Sequence, residues 1–387
     1  MNSSKQFIYM YFFVISLVCN AADKKLTEYK SIPFNRQIID QPSSLLYRTN
    51  EDFIVAGDMG FEIQRNDKIR YNTYRRSPGS WKLLKDAEKI VAFNEKDIII
   101  TTLDIKPKLN NKSGLAIKSY STDEITISMK RENIKCIALD SSKNTIFIGY
   151  NCLSYNSGIR QYCYNSRSYK DFELDNEVQC VSMDLSLKKN VLCLLDSHDT
   201  ISLRKTNNLA LAFKKINLFF PDICFSCKFS PDGVTLAVHG EQSIHIINEY
   251  AEQNKNSIPK ALECYALSDV ERIKAIAFHP CGLLVALISN GFNSSLIKYW
   301  NTRTMQAIDT TTLPGIRGHN FCFPDDGLEV AMVSNRDCMR EPISPQVMRQ
   351  YILLPLWMKL KQMQATGNIP QDIIVHCMNV FTAYCSK

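Results

Sequence analysis

The sequence predicts an all-β fold, a seven-bladed β-propeller with a short C-terminal helical tail. Three features predict it. Short stretches rich in β-branched and aromatic residues recur along most of the 387-residue chain, Gly, Asn, Asp and Pro punctuate them at matching places, and helical apolar spacing is confined to the C-terminal end. Several hundred residues of ordinary globular composition, 45% apolar and 22% charged, supply enough material for one large domain of this kind. The expected boundaries are a leader at 1–21, a propeller at 22–343 and a helical tail at 344–387.

At the N-terminus Lys5 precedes an apolar run from Phe7 to Val18, then Cys19, Asn20 and Ala21, before the polar stretch Ala22-Asp23-Lys24-Lys25. This is the pattern of an export signal, with the small Ala21 placed for cleavage after it. The run is short against the roughly 20 apolar residues that a membrane helix needs. An uncleaved anchor, lipid attached at Cys19 and a buried N-terminal strand are the alternatives, and after cleavage no stretch is long enough to span a membrane. Segment 26–39 is expected to supply a closing strand, because a ring of sheets closes without an exposed edge only when both chain ends share one sheet.

The repeat is written most fully in Phe229-Ser230-Pro231-Asp232-Gly233-Val234-Thr235-Leu236-Ala237-Val238, followed by Ser243-Ile244-His245-Ile246-Ile247-Asn248. This reads as strand, tight turn, strand, turn, strand. A second copy runs from Phe278-His279-Pro280-Cys281-Gly282 to Ile297-Lys298-Tyr299-Trp300-Asn301, and weaker copies begin near Leu139-Asp140 and Met183-Asp184. Aligning the residue before each first turn gives Tyr47, Phe93, Leu139, Met183, Phe229, Phe278 and Cys322, spaced by 44 to 49 residues. That period, with four strand-like segments in each, is what a propeller blade requires. After Leu328-Glu329-Val330-Ala331-Met332-Val333 no clear third strand is expected in the last blade.

The stretches Phe229 to Asn248 and Phe278 to Asn301 resemble the WD-repeat family, and the resemblance covers roughly residues 40 to 340. It implies a propeller that binds other proteins. The family's Trp-Asp stands here as Trp300-Asn301, with Ile247-Asn248 as another version, and Gly318-His319 is the one Gly-His pair, too close to Phe323-Pro324-Asp325-Asp326-Gly327 to hold the usual place. The family's Asp-His-Ser/Thr-Trp network is therefore not carried over. Lactonase-like and translocation-associated propellers have similar Pro-Asp-Gly turns.

From Ser344-Pro345 the punctuation stops, and 346–366 and 369–384 are expected as two helices parted by Gly367-Asn368. Ile373, Ile374, Cys377, Met378 and Phe381 would line one apolar face of the second, docked on the propeller or on a partner.

The net charge of +7 loses only Lys5 with the leader, so nucleic acid is not an expected partner. Fourteen cysteines include Cys19, and the odd number that remains cannot all pair internally. Cys136, Cys180 and Cys227 recur in one strand phase and are expected as buried thiols. Cys224 and Cys227 form a Cys-x-x-Cys, but a spacing of three along a strand is expected to point the two side chains to opposite faces, and there is no second pair to complete a metal site.

No catalytic residue, cofactor or metal is assigned. Nucleophile elbows, phosphate loops and paired-histidine zinc motifs are absent from the sequence. His198, in Asp196-Ser197-His198-Asp199, is a solvated loop residue or a site residue. Arginine and aromatic residues interleave between 65 and 82, which makes Arg70, Tyr71, Tyr74, Arg75, Arg76 and Trp81 the candidate binding residues; the alternative for this stretch is a solvated loop between blades whose aromatics pack inward. The function expected is a monomeric, exported, non-enzymatic scaffold that binds another protein. The alternatives are a secreted lactonase- or hydrolase-like enzyme with its site at the central channel, and an intracellular adaptor if the leader stays attached. Asn111-Lys112-Ser113 and Asn293-Ser294-Ser295 are acceptors for sugar in a eukaryotic secretory pathway. Intact mass spectrometry of the protein from its native host is expected to show a chain lacking residues 1–21; a full-length mass would instead favour the adaptor.

Overall fold

The computed structural model of the chain describes residues 30–33, strand segments between 44 and 118, most of 125–248, 260–262, most of 271–355, and positions 358 and 362. The leader and the second tail helix expected at 369–384 lie outside the described residues, as do Asn111 and Asn293.

Strands dominate, and they pair antiparallel with their neighbours in sequence to make four-stranded sheets. The first sheet holds Ser44–Tyr47, Asp52–Gly57, Gly60–Arg65 and Lys68–Asn72. The second holds Lys82–Asp86, Lys89–Phe93, Asp97–Thr102 and Ile125–Ser128, with a small hairpin, Pro107–Leu109 and Ala116–Lys118, before its last strand. The third is Glu132–Asp140, Thr145–Cys152, Ser157–Cys163 and Ser168–Glu173, and the fourth Cys180–Ser186, Val191–Asp196, Thr200–Lys205 and Asn208–Asn217. Ser226–Phe229, Thr235–His239, Ile244–Asn248 and Lys260–Leu262 form the fifth; Glu271–Phe278, Leu284–Asn290, Ser294–Asn301 and Gln306–Pro314 form the sixth. The seventh takes Gly318–Cys322, Glu329–Ser334 and Asp337–Pro342 from the end of the chain and Lys30–Pro33 from its beginning.

Three expectations need correction. The seventh sheet does have a third strand, Asp337–Pro342, whose Asp, Arg, Glu and Pro mask the strand pattern. In the second sheet Phe93 ends the second strand, not the first; the first is Lys82–Asp86, whose charged ends hide it. Residues 65 to 82 are likewise not one connecting loop, since Lys68–Asn72 is the last strand of the first sheet.

Burial explains the sequence of the second strands. In Val191–Asp196 every residue is buried, with Val191, Cys193 and Leu195 packed against the fifth sheet and Leu192 and Leu194 against the third. A strand covered on both faces reads as a continuous apolar run, as here, and one covered on a single face alternates. Cores of this kind fill the spaces between second and third, third and fourth, fourth and fifth, fifth and sixth, and sixth and seventh sheets.

A short helix follows the seventh sheet. Ser344 caps it through its hydroxyl, Pro345 occupies its first turn, and Pro345–Val347 continues as a π-helix over Met348–Leu353. Ile343, Val347 and Met348 are buried against the sixth and seventh sheets, and the Ser344 hydroxyl donates to Asp309.

The turns between first and second strands repeat one geometry. Asn144, Asn190, Gly233, Gly282 and Gly327 all have positive φ, between 52° and 92°. Each donates its N–H to the carbonyl three residues back, at 2.8 to 3.4 Å. Asn and Gly are the residues that enter this left-handed region at least cost. The glycines differ in what surrounds them. A Cβ on Gly233 would lie 2.2 Å from Ser186 Oγ in the preceding turn, whereas one on Gly282 meets nothing within 4 Å. Gly282→Ala is expected to cost about 1 kcal/mol from backbone conformation alone, and Gly233→Ala roughly 2 to 3 kcal/mol because Ser186 must also shift. Urea unfolding of the two variants checks that order.

Candidate functional site

Antiparallel order decides which loops share an end of the molecule. The turns from first to second strand lie at one end. The loops from second to third strand, and the connections between sheets, lie at the other, because each four-stranded sheet begins and finishes there. At this second end the connection between the fourth and fifth sheets carries Ile223 and Phe225, which are 71% and 48% exposed.

That connection is held from both sides. The N–H of Leu218 donates to the Asp199 carbonyl at 2.9 Å, the N–H of Cys224 to Asp199 Oδ1 at 3.1 Å, and the N–H of Phe225 to the His239 carbonyl at 2.9 Å. Between the two exposed side chains Cys224 turns inward, buried in the same core as Cys227. The two cysteines thus share one core: Cys224 precedes the strand Ser226–Phe229, so strand alternation does not separate them. The Phe225 ring lies 6.2 Å from that of His239. Next to it, Asp196 Oδ1 accepts the N–H groups of His198 and Thr200, both at 2.9 Å, which commits this carboxylate to shaping its turn. His198 is exposed. Glu241 pairs with Arg272 at 3.0 Å and links the fifth sheet to the sixth.

Of the residues predicted from sequence, Arg70 and Tyr71 stand in the last strand of the first sheet, opposite Ile63 and Glu62. Their side chains, and Tyr74, Arg75, Arg76 and Trp81, lie outside the described residues. Ile223 and Phe225 were hidden in the sequence by the Cys224–Cys227 spacing between and after them. Among the described residues no three His, Cys, Asp or Glu side chains converge to hold a metal, and no helix is long and apolar enough to cross a membrane.

Burial governs the chemistry of the thiols. Cys136, Cys180 and Cys227 are all buried, as their strand phase implies. Desolvation pushes the Cys180 thiol up to about 12 and raises that of Cys193 well above its ordinary value, so neither supplies a thiolate near neutral pH.

No family model and no curated protein matches the chain. Among solved structures it is similar to a chain in the crystal structure of the mitotic checkpoint complex. The TM-score is 0.60 at 9% identity, over 83% of this chain and 94% of that one. The likeness shows the fold. It is that of a β-propeller. Solved chains that match number 1413, so the fold does not by itself single out a function.

In this propeller the turn of the sixth sheet is fastened to that of the seventh by a neutral histidine. His279 is 1% exposed, and its Nε2–H donates to the Gly327 carbonyl at 2.7 Å while Nδ1 accepts the N–H of Cys281 at 3.2 Å. Phe323 meets the ring edge-on at 4.9 Å. Desolvation lowers its pKa from 6.5 to about 4, opposed by the bond to Gly327. Between these values the unfolded chain binds the proton and the folded chain does not. The contribution is therefore complete above pH 6.5 and is lost as the pH falls toward 4, on the order of 3 kcal/mol. Denaturant melts between pH 7.5 and 4 are expected to show this slope, and His279→Phe to flatten it while lowering stability at pH 7.5 by leaving the Gly327 carbonyl unpaired.

Proposed function

We propose that the chain is an exported, seven-bladed, non-enzymatic platform that binds another protein through the end of the ring carrying Ile223 and Phe225. Support for seven blades comes from the contacts of the first strands. Those of successive sheets touch in order around the molecule, and Gly318–Cys322 of the seventh touches Ser44–Tyr47 of the first. Lys30–Pro33, paired with Asp337–Pro342, joins the beginning of the chain to its end. Export is supported by the sequence of residues 1–21.

The observation that carries the binding reading is the pairing of exposure with restraint at Leu218 and at Ile223 to Phe225. Hydrogen bonds from the N–H groups of Leu218, Cys224 and Phe225 hold the described ends of this connection, yet Ile223 and Phe225 stand in solvent. Preorganised apolar groups bind with little loss of conformational entropy, and each is worth about 1.5 to 3 kcal/mol when a partner covers it. The likeness to a chain from a protein complex points the same way.

The test uses the full chain in cells of its native host. Crosslinking and mass spectrometry identify proteins held by the wild type, and the same is done for an Ile223→Asp, Phe225→Asp variant. The variant is expected to unfold at the wild-type denaturant midpoint and to lose a specific partner by at least about tenfold, or 1.4 kcal/mol. The same partners at the same yields in both would remove the platform reading for this end.

A further inference from the structure

The last strand of the fourth sheet does something that sheet formation does not require. Thr200 to Leu203 pair in regular register with Asn217 to Lys214; Arg204 then faces Ala212, skipping Phe213, and Lys205 faces Asn208. In this register residues 209 to 211 face no residue of the neighbouring strand, so the outermost strand of the sheet is bulged there. Bulges of this kind re-aim side chains and break an edge strand's capacity to pair.

The bulged segment is anchored at both ends. Leu209 is buried between the third and fourth sheets, and Ile216 between the fourth and fifth. Beneath it lies Arg204, 7% exposed, whose Nη1 donates to the carbonyls of Leu209 and of Ala210, the latter at 3.3 Å. Its buried Nε has no hydrogen-bond partner. A guanidinium is costly to desolvate, and an unpaired buried donor adds to that cost. Leucine or methionine would fill the same space at lower cost. A local feature that opposes stability while holding a fixed shape is expected where function requires the shape.

The shape presents Leu211, 70% exposed, and Phe213, 44% exposed. The ammonium group of Lys205 lies 5.2 Å from the Phe213 ring centroid, and Lys214 and Lys215 follow directly in sequence. Asp175 pairs with Lys215 at 2.9 Å, but both are well exposed and such a pair is weak. The result is two exposed apolar side chains with the Lys205 ammonium group over the ring of one of them.

We propose that this segment, Leu211 and Phe213 with Lys205 and Lys215, docks an acidic segment of another protein that carries its own apolar side chains. Charge complementarity selects the occupant. Lys205 and Lys215, both exposed, disfavour a second copy of the same surface, and Leu211 offers nothing to a phosphate backbone but gains from burial against a protein side chain. The site lies on the outermost strand of its sheet, away from Ile223 and Phe225, and does not depend on the reading given to that end.

The test probes the labelled full chain against two sets of short synthetic peptides, each with a Leu-Phe centre, flanked by glutamates in one set and by lysines in the other. The glutamate set is expected to bind and the lysine set not. Leu211→Ser with Phe213→Ser should weaken that binding by at least about tenfold. Should that double variant fail to fold, Lys205→Glu with Lys215→Glu, both at exposed positions, must reverse the preference between the sets. Ile223→Asp with Phe225→Asp should leave this binding unchanged, which separates failure here from failure at the end of the ring. The proposal is overturned by binding to neither set, by equal binding to both, or by variants that bind as the wild type does. It is equally overturned if the segment's only partner proves to be a second copy, seen as dimers by light scattering that the double variant abolishes, or phosphatidylserine vesicles.

Discussion

Four short strands cannot bury both faces of their own sheet, so each sheet here is stable only when its neighbours cover it. The apolar clusters obey this rule: each draws its residues from two adjacent sheets, as when Ile146 and Ile148 face Val91 and Ile98 of the second sheet while Phe147 faces Leu192 and Leu194 of the fourth. Stability is then shared, and the seventh sheet becomes the position of greatest consequence. Its fourth strand is Lys30–Pro33, drawn from the other end of the chain, and without it the edge of Asp337–Pro342 would be unpaired.

Polar contacts add direction to this apolar packing. The Asn151 side chain exchanges two hydrogen bonds with the backbone of Cys180, Ser182 accepts the N–H of Cys227, and Asp184 accepts the N–H of Phe229 at 2.7 Å. These bonds tie the third sheet to the fourth and the fourth to the fifth. His279 performs the same task between the sixth and seventh as a neutral imidazole, so its protonation in acid loosens that junction. A frame fastened in this way can hold Ile223 and Phe225 in water without their collapsing inward.

Burial also makes the cysteines compatible with the export proposed above. Thiols that are desolvated between sheets, as Cys180 and Cys193 are, ionise too weakly to exchange with disulfides, so an oxidising compartment does not force them to pair. Their role is to pack. Cysteine is small enough for the close approach of strands seen where Cys136 and Cys180 crowd Gly149.

Much of the fold was legible in the sequence because turns are local. Pro231-Asp232-Gly233 and Pro280-Cys281-Gly282 mark left-handed positions that few residues accept, and Asn144 and Asn190 mark the same positions in the weaker copies. Continuous apolar runs such as Val191 to Leu195 declared strands covered on both faces. The charged strands Lys82–Asp86 and Asp337–Pro342 were not legible, because their pairing comes from neighbours and not from their own composition. The exposed surfaces were not legible either. Ile223, Phe225, Leu211 and Phe213 look like core residues in sequence, and only the positions of Asp199, His239 and the buried Arg204 turn them outward. A sequence records which residues prefer to leave water; which of them are left in it is decided by how neighbouring sheets meet.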